Sequence, residues 1–236
     1  MNEASLINSM KKTKIILKEC GIFKQENLTR HITLNINKFS VDFFQKCQDS
    51  EYELIYKTAL KNTDFDYLLK DDSIFQFSCS LRNGKINEGS IRYAYFQNPR
   101  EYLTYEEFLK EIGFTYEECG DELLLEYEQD VAEAKLNNGV IPIRYDYNFS
   151  MYQPVHHPIS HLHIGHNNQI RVALNKILTP QKFVIFVLRN VYPNIWKEVY
   201  PSNEKIMTIC MESKKCCPSL DKSIFSEEEE HLLFIV

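Results

Sequence analysis

Glycine is scarce in this sequence, 7 residues in 236, and no segment is repetitive, low in complexity or linker-like. No apolar run approaches the roughly 18–20 residues that a bilayer-spanning helix needs, so no membrane role is expected. The opening stretch, Met1 to Gly21, places polar residues where a secretory signal needs an unbroken apolar core, which points to the cytoplasm. No Cys-x-x-Cys pair occurs, and seven scattered cysteines cannot all pair with one another. In a reducing compartment they read as small buried apolar groups, and the spacing of Cys210, Cys216 and Cys217 matches no standard zinc pattern. Excess positive charge is also missing: 27 Lys and Arg face 33 Asp and Glu, a net charge of −6. That balance excludes broad, unspecific binding to a polyanion but leaves room for a local basic cleft.

What is present is the makings of a core. Hydrophobic residues are 44% of the chain, with 15 Phe and 14 Tyr, so rigid aromatics must fill much of the interior. The length suits a single domain. Within it, a helical part covers about residues 1–70, a sheet-containing core about 71–200 and a C-terminal extension about 201–236.

Along the chain, Leu6, Ile7, Met10 and Leu17 predict a first helix that Gly21 stops. A second helical stretch spans residues 41–61, with an interruption at Asp49-Ser50. Alternation then predicts strands over 73–81 and 90–96, joined by a long loop whose Asn83-Gly84 is a turn signal. Thr104 and Glu107 have capping-box spacing, and Gly113 terminates that helix. A further helix over 121–136 turns Leu124, Leu125, Val131 and Ala132 inward. Strands are predicted over 140–149, 160–164 and 169–174. Thr179-Pro180 opens a strongly apolar helix that Tyr192-Pro193 ends. Ser226 with Glu229 forms a second capping box, its four glutamates read as a solvated first turn. This order is α+β: a mainly antiparallel sheet of about five strands flanked by helices.

Five of the seven histidines fall between His156 and His166. On a strand over 160–164, His161 and His163 share one face, their Cα atoms roughly 6.6–7 Å apart. One chemistry for such a pair is metal-free phosphodiester cleavage. One imidazole takes a proton from a ribose 2′-OH, the other protonates the leaving 5′-oxygen, and a cation steadies the phosphorane. Arg144 and Arg171 are the cations to hand, and Tyr145, Tyr147 and His157 are candidate substrate contacts. A second chemistry is a metal centre, in which His161 and His163 gain a third ligand from His157, His166 or Asp146. Transfer of the histidine-triad type would need a third alternating histidine where Gly165 stands. The bland reading makes both histidines buried hydrogen-bonding groups, with Arg144 pairing Asp146 and the aromatics of 143–147 in the core. Arg92 reads the same way.

The segments Ile91-Arg92-Tyr93-Ala94-Tyr95, Arg144-Tyr145-Asp146-Tyr147 and His157-Pro158-Ile159-Ser160-His161-Leu162-His163-Ile164-Gly165 resemble those of a bacterial domain-of-unknown-function family. Arg171, Tyr192-Pro193 and Trp196 extend the resemblance. It implies no established activity; its members are similar to proteins met beside mobile and antiviral-defence genes. Two functions are therefore expected. One is a metal-independent endoribonuclease-like effector, a toxin or defence protein that acts on RNA without a cofactor. His161 and His163 are its acid and base, and Arg144 or Arg171 stabilises charge. The other is a non-catalytic accessory subunit that docks on a larger protein in a defence complex.

Overall fold

The computed structural model describes residues 1–27, 38–82, 85–99, 103–137, 139–166 and 170–232. The chain forms two compact units, one built from Met1–Asn98 with Ile141–Val236, the other from Pro99–Val140.

In the larger unit, α1 (Glu3–Glu19) is capped by Asn2 and leads through Gly21, at φ +71°, into β1 (Phe23–Glu26). α2 (Val41–Asp49) and α3 (Tyr52–Lys61) are separated at Ser50, whose backbone is extended. Four strands complete the first half of a meander and begin the second: β2 (Tyr67–Leu69), β3 (Ile74–Arg82), β4 (Lys85–Phe96) and, after the small unit, β5 (Ile143–Asn148). β6 (Ser160–Ile164) and β7 (Val172–Ala173) follow. The sheet has seven strands in chain order, every neighbour antiparallel.

The expected five strands thus become seven. β1 and β2 were hidden in the helical part because strands of four and three residues are too short to show a period. The expected long loop between β3 and β4 is strand instead, since Arg82 pairs with Lys85. Its turn signal, Asn83-Gly84, lies outside the described residues. Near that turn the β3–β4 register shifts between Ser80 and Arg82, and a Cβ on Gly89 would lie 2.0 Å from the Ser80 carbonyl oxygen. Only glycine tolerates that approach.

One face of the sheet is aromatic. Phe75, Phe77, Tyr93, Tyr95, Tyr145 and Tyr147 are all fully buried there. The helix opened by Thr179 packs on this face, with Phe183 at its centre, 5.8 Å from the Tyr93 ring and 6.2 Å from that of Phe75. α1 packs beside it, with Leu6, Met10 and Leu17 inward; Ile7 turns outward, contrary to its expected place in the stripe.

In the smaller unit, α4 (Tyr105–Glu111) begins with the expected Thr104–Glu107 capping box and ends at Gly113, φ +88°. α5 (Tyr116–Cys119) and α6 (Leu124–Asn137) follow. Leu109 is buried, and the Tyr127 ring lies 5.4 Å from that of Tyr105 and 5.6 Å from that of Phe108. The inward stripe expected of α6 is overturned: Leu125 is 77% exposed, and Leu124 and Ala132 face solvent. A unit this small makes its contacts through Tyr127, whose hydroxyl donates to the Leu103 carbonyl, instead of through an aliphatic stripe.

After β7, the larger unit ends with α7 (Pro180–Val191), α8 (Pro193–Val199), α9 (Glu204–Lys215) and α10 (Glu227–His231). α9 was not foreseen, because only Ile206, Ile209 and Ser213 of its residues are buried, a thin stripe for helix reading. The Ser226–Glu229 capping box is present, but its glutamates are not all solvated: Glu229 is 5% exposed and accepts from the Tyr152 hydroxyl at 2.7 Å. Of the apolar C-terminus, residues 233–236 lie outside those described. Three of the cysteines, Cys20, Cys79 and Cys217, are buried as expected, whereas Cys47 and Cys216 are exposed. No helix among the described residues is long and apolar enough to cross a membrane.

Candidate active site

The opposite face of the same sheet carries the polar and charged side chains. Directly paired residues of antiparallel strands project to the same side, so the register lays the face out in rows. One row runs Ser78, Arg92, Asp146, His161; the next runs Gln76, Ala94, Arg144, His163. Five residues from three strands, Arg92, Arg144, Asp146, His161 and His163, therefore meet on one patch. Together with His157 and Arg171 they line a cavity of about 160 Å³.

Asp146 organises the patch. Its Oδ1 accepts from Arg92 Nε at 3.0 Å and its Oδ2 from Arg144 Nε at 2.8 Å. Both guanidinium groups use only Nε in this way, which leaves their terminal nitrogens unclaimed on side chains 48% and 43% exposed. A planar fork held by its stem, with its donors open to a cleft, is suited to an oxyanion. Burial works against the Asp146 carboxylate, but the His163 contact at 3.5 Å and the two guanidinium charges outweigh it and hold its pKa well below the usual carboxylate range.

The two imidazoles are on one face, as the alternation predicts, but they are not equivalent. His161 is 1% exposed. Its Nδ1 donates to the Pro158 carbonyl at 2.7 Å, since a carbonyl can only accept, and its Nε2 lies 3.0 Å from His163 Nε2. The lone pair of His161 thus receives the Nε2–H of His163. Burial is the main reason that the His161 pKa falls from 6.5 to about 4, so the ring is neutral at pH 7. His161 is sealed, as the bland reading has it, and a phosphate cannot enter between nitrogens in hydrogen-bond contact. His163, its side chain 13% exposed, is the less buried imidazole of the pair, and its Nδ1 makes no hydrogen bond among the described residues.

His157 faces the same cavity, its ring 5.0 Å from that of His161, and its buried Nδ1 has no partner. A tight backbone pairing of Gln153 with His157 sets its position, at the cost of a positive φ of 66° at Val155. Arg171 stands just before β7 and borders the cavity.

The expected substrate contacts Tyr145 and Tyr147 turn their rings away from the cleft, although Tyr147 is among the residues that border it. Both project to the aromatic face and are fully buried, the Tyr145 hydroxyl being held by Ser160 and by the Leu178 N–H. Arg92, read as a pairing residue, does pair with Asp146, and stands beside Arg144 as the other half of an arginine pair. The one sign of it in the sequence is the repeated Ile-Arg-Tyr at 91–93 and 143–145; the register pairs the two tyrosines and sets Arg92 opposite Asp146 and Arg144 opposite Ala94.

Asp146, His161 and His163 each offer a ligand atom within 4.8 Å of one another, the right order of spacing for a divalent ion. The third ligand is then Asp146, not His157 or His166. The two guanidinium groups on that carboxylate oppose a further positive charge, so the patch as a whole favours an anion.

Fold and site together define an α+β protein with an arginine-and-imidazole cleft on the polar face of an antiparallel sheet. The chain belongs to the family described as uncharacterized conserved protein DUF2290, whose model matches residues 18–236. No curated protein and no solved structure matches it.

Proposed function

We propose that this chain cleaves phosphodiester bonds in RNA without a metal, as an effector protein, at the cleft formed by Arg92, Arg144, His157 and His163. The observation that carries the reading is the arginine pair. Two guanidinium groups share one carboxylate through Nε and keep their terminal donors for a phosphate. His163 takes the 2′-OH proton on Nδ1 while its Nε2–H stays with His161, which orients the ring. The freed 2′-oxygen attacks phosphorus, the P–O5′ bond breaks, and protonated His157 gives its proton to the leaving 5′-oxygen. The arginines hold the charge that builds on the phosphorane.

The test is incubation of purified protein with RNA in excess EDTA. Cleavage to 2′,3′-cyclic phosphate ends is expected, reduced about 100-fold or more in His163→Ala. Arg92→Ala/Arg144→Ala should weaken binding as well as rate. If the native protein leaves RNA intact, the reading fails. Cleavage that occurs only with a divalent ion would favour the metal reading of Asp146, His161 and His163. A docking role for a larger protein partner finds its support elsewhere, in the exposed Ile112, Phe114 and Leu125 of the smaller unit. Recovery of a stoichiometric partner that an exposed Phe114→Glu change abolishes would favour it.

A further inference from the structure

The rows of the polar face do not end at Arg144. The next row runs Ile74, Phe96 and, beyond the last paired residues, Pro142, whose carbonyl accepts the Gly165 N–H at 2.8 Å. Along the face, composition therefore changes from charged through mixed to apolar. Phe96 and Pro142 of this row line a second cavity of about 300 Å³, which shares Arg144, His163 and Arg171 with the first. The two cavities therefore adjoin at Arg144, His163 and Arg171.

The second cavity has aromatic walls. The Tyr52 and Phe96 rings lie 6.2 Å apart at 27°, and the His166 ring meets Tyr52 edge-on at 5.7 Å. The Tyr52 hydroxyl is spent on the Gln97 carbonyl. His166 differs: its Nε2 is buried and has no hydrogen-bond partner among the described residues, a cost that a bound polar group would relieve. Gly165, at φ +90°, makes the turn that brings His166 to this wall, a backbone state that favours glycine.

We infer that the second cavity is the base site of the same ligand, a single-stranded ribonucleotide. Its phosphate lies on Arg92 and Arg144, its base against Phe96 and Tyr52, and a polar edge of the base meets His166 Nε2. This deepens the phosphate reading of the first cleft and rests on it. Ring faces accept any base, and a single hydrogen-bonding group on the wall adds preference among the four. A base can enter such a cavity only when it is unstacked, so a paired duplex is excluded as ligand.

The test compares the four ribonucleoside 5′-monophosphates with ribose 5-phosphate, which lacks only the base, by calorimetry on the full chain. At least one nucleotide should bind about tenfold or more tightly than ribose 5-phosphate, in the range that stacking one base contributes. Phe96→Leu and His166→Ala should erase that advantage and leave ribose 5-phosphate binding unchanged. Saturation-transfer NMR on the native protein avoids any folding defect in the variants: base protons should take up more saturation than ribose protons. Equal binding of all five compounds, or stronger saturation of the sugar, overturns the base site while the arginine clamp stands. No binding by any of the five overturns both.

Discussion

The two faces of one sheet solve opposite problems with the same strands. On the aromatic face, Phe75, Phe77, Tyr93 and Tyr145 exclude water, and the first three contact Phe183 of α7. On the polar face, one residue along in each strand, Arg92, Arg144, Asp146 and His163 keep polar groups at the edge of water. Each face depends on the other. Packing on the first fixes the register, and the register alone brings Arg92 to Asp146 and Asp146 to His161. Stability and chemistry should therefore separate by face, and substitutions can test whether they do.

The largest effect is expected on the aromatic side. Phe183→Ala should cost about 3–5 kcal/mol in urea unfolding, because the cavity it leaves is walled by rings that cannot collapse into it. Phosphate binding by the molecules that remain folded should be unchanged. A loss below about 1 kcal/mol would mean that α7 does not anchor this face.

The same contrast explains what could be read from the sequence. Alternation of large apolar residues in 74–81 and 90–96 marks the aromatic face directly, and the caps at Thr104, Thr179 and Ser226 are local signals that the structure keeps. The histidine pair on 160–164 was legible for the same reason, since a two-residue period is local. The partners of that pair were not. Arg92 is 54 residues from Asp146, and nothing local in either segment states that they face each other. Burial was equally hidden: His161 and His163 carry the same side chain two residues apart, yet only one of them is sealed. The strands β1 and β2 escaped because their few residues are held by neighbours and not by a pattern of their own.

The next effect belongs to the polar face and depends on pH. His161 has a folded-state pKa of about 4 against an ordinary value of 6.5, so the unfolded chain takes up its proton first as pH falls. Stability from this group is complete above pH 6.5 and is lost progressively toward pH 4, by about 3 kcal/mol at most. Asp146 adds a loss only below its ordinary value of 3.8, because its folded pKa is lowered. Denaturant midpoints between pH 7 and 4 should show the first decline, and His161→Asn should flatten it while lowering stability overall. A native profile that is flat from pH 6.5 to 4 would show that the ring is not held neutral.

The smallest effect probes where the polar face meets the C-terminal helix. Tyr152 begins the loop that carries His157, and its hydroxyl donates to Glu229 Oε2, which also accepts the Ser226 N–H at 2.9 Å. Burial and the neighbouring carboxylate push the Tyr152 pKa up to about 12, so the hydroxyl remains a donor through the physiological range. In Tyr152→Phe the ring stays and one donor goes. The Ser226 N–H still serves Oε2, so the carboxylate is left only partly unsatisfied and the cost should be about 1 kcal/mol. Glu229→Leu should cost more, since it also opens the capping box at the start of α10. If Tyr152→Phe instead lowered phosphate binding as strongly as Arg144→Ala does, the division of labour between the faces would fail. The loop would then position His157 through α10, and the C-terminal helix would belong to the site.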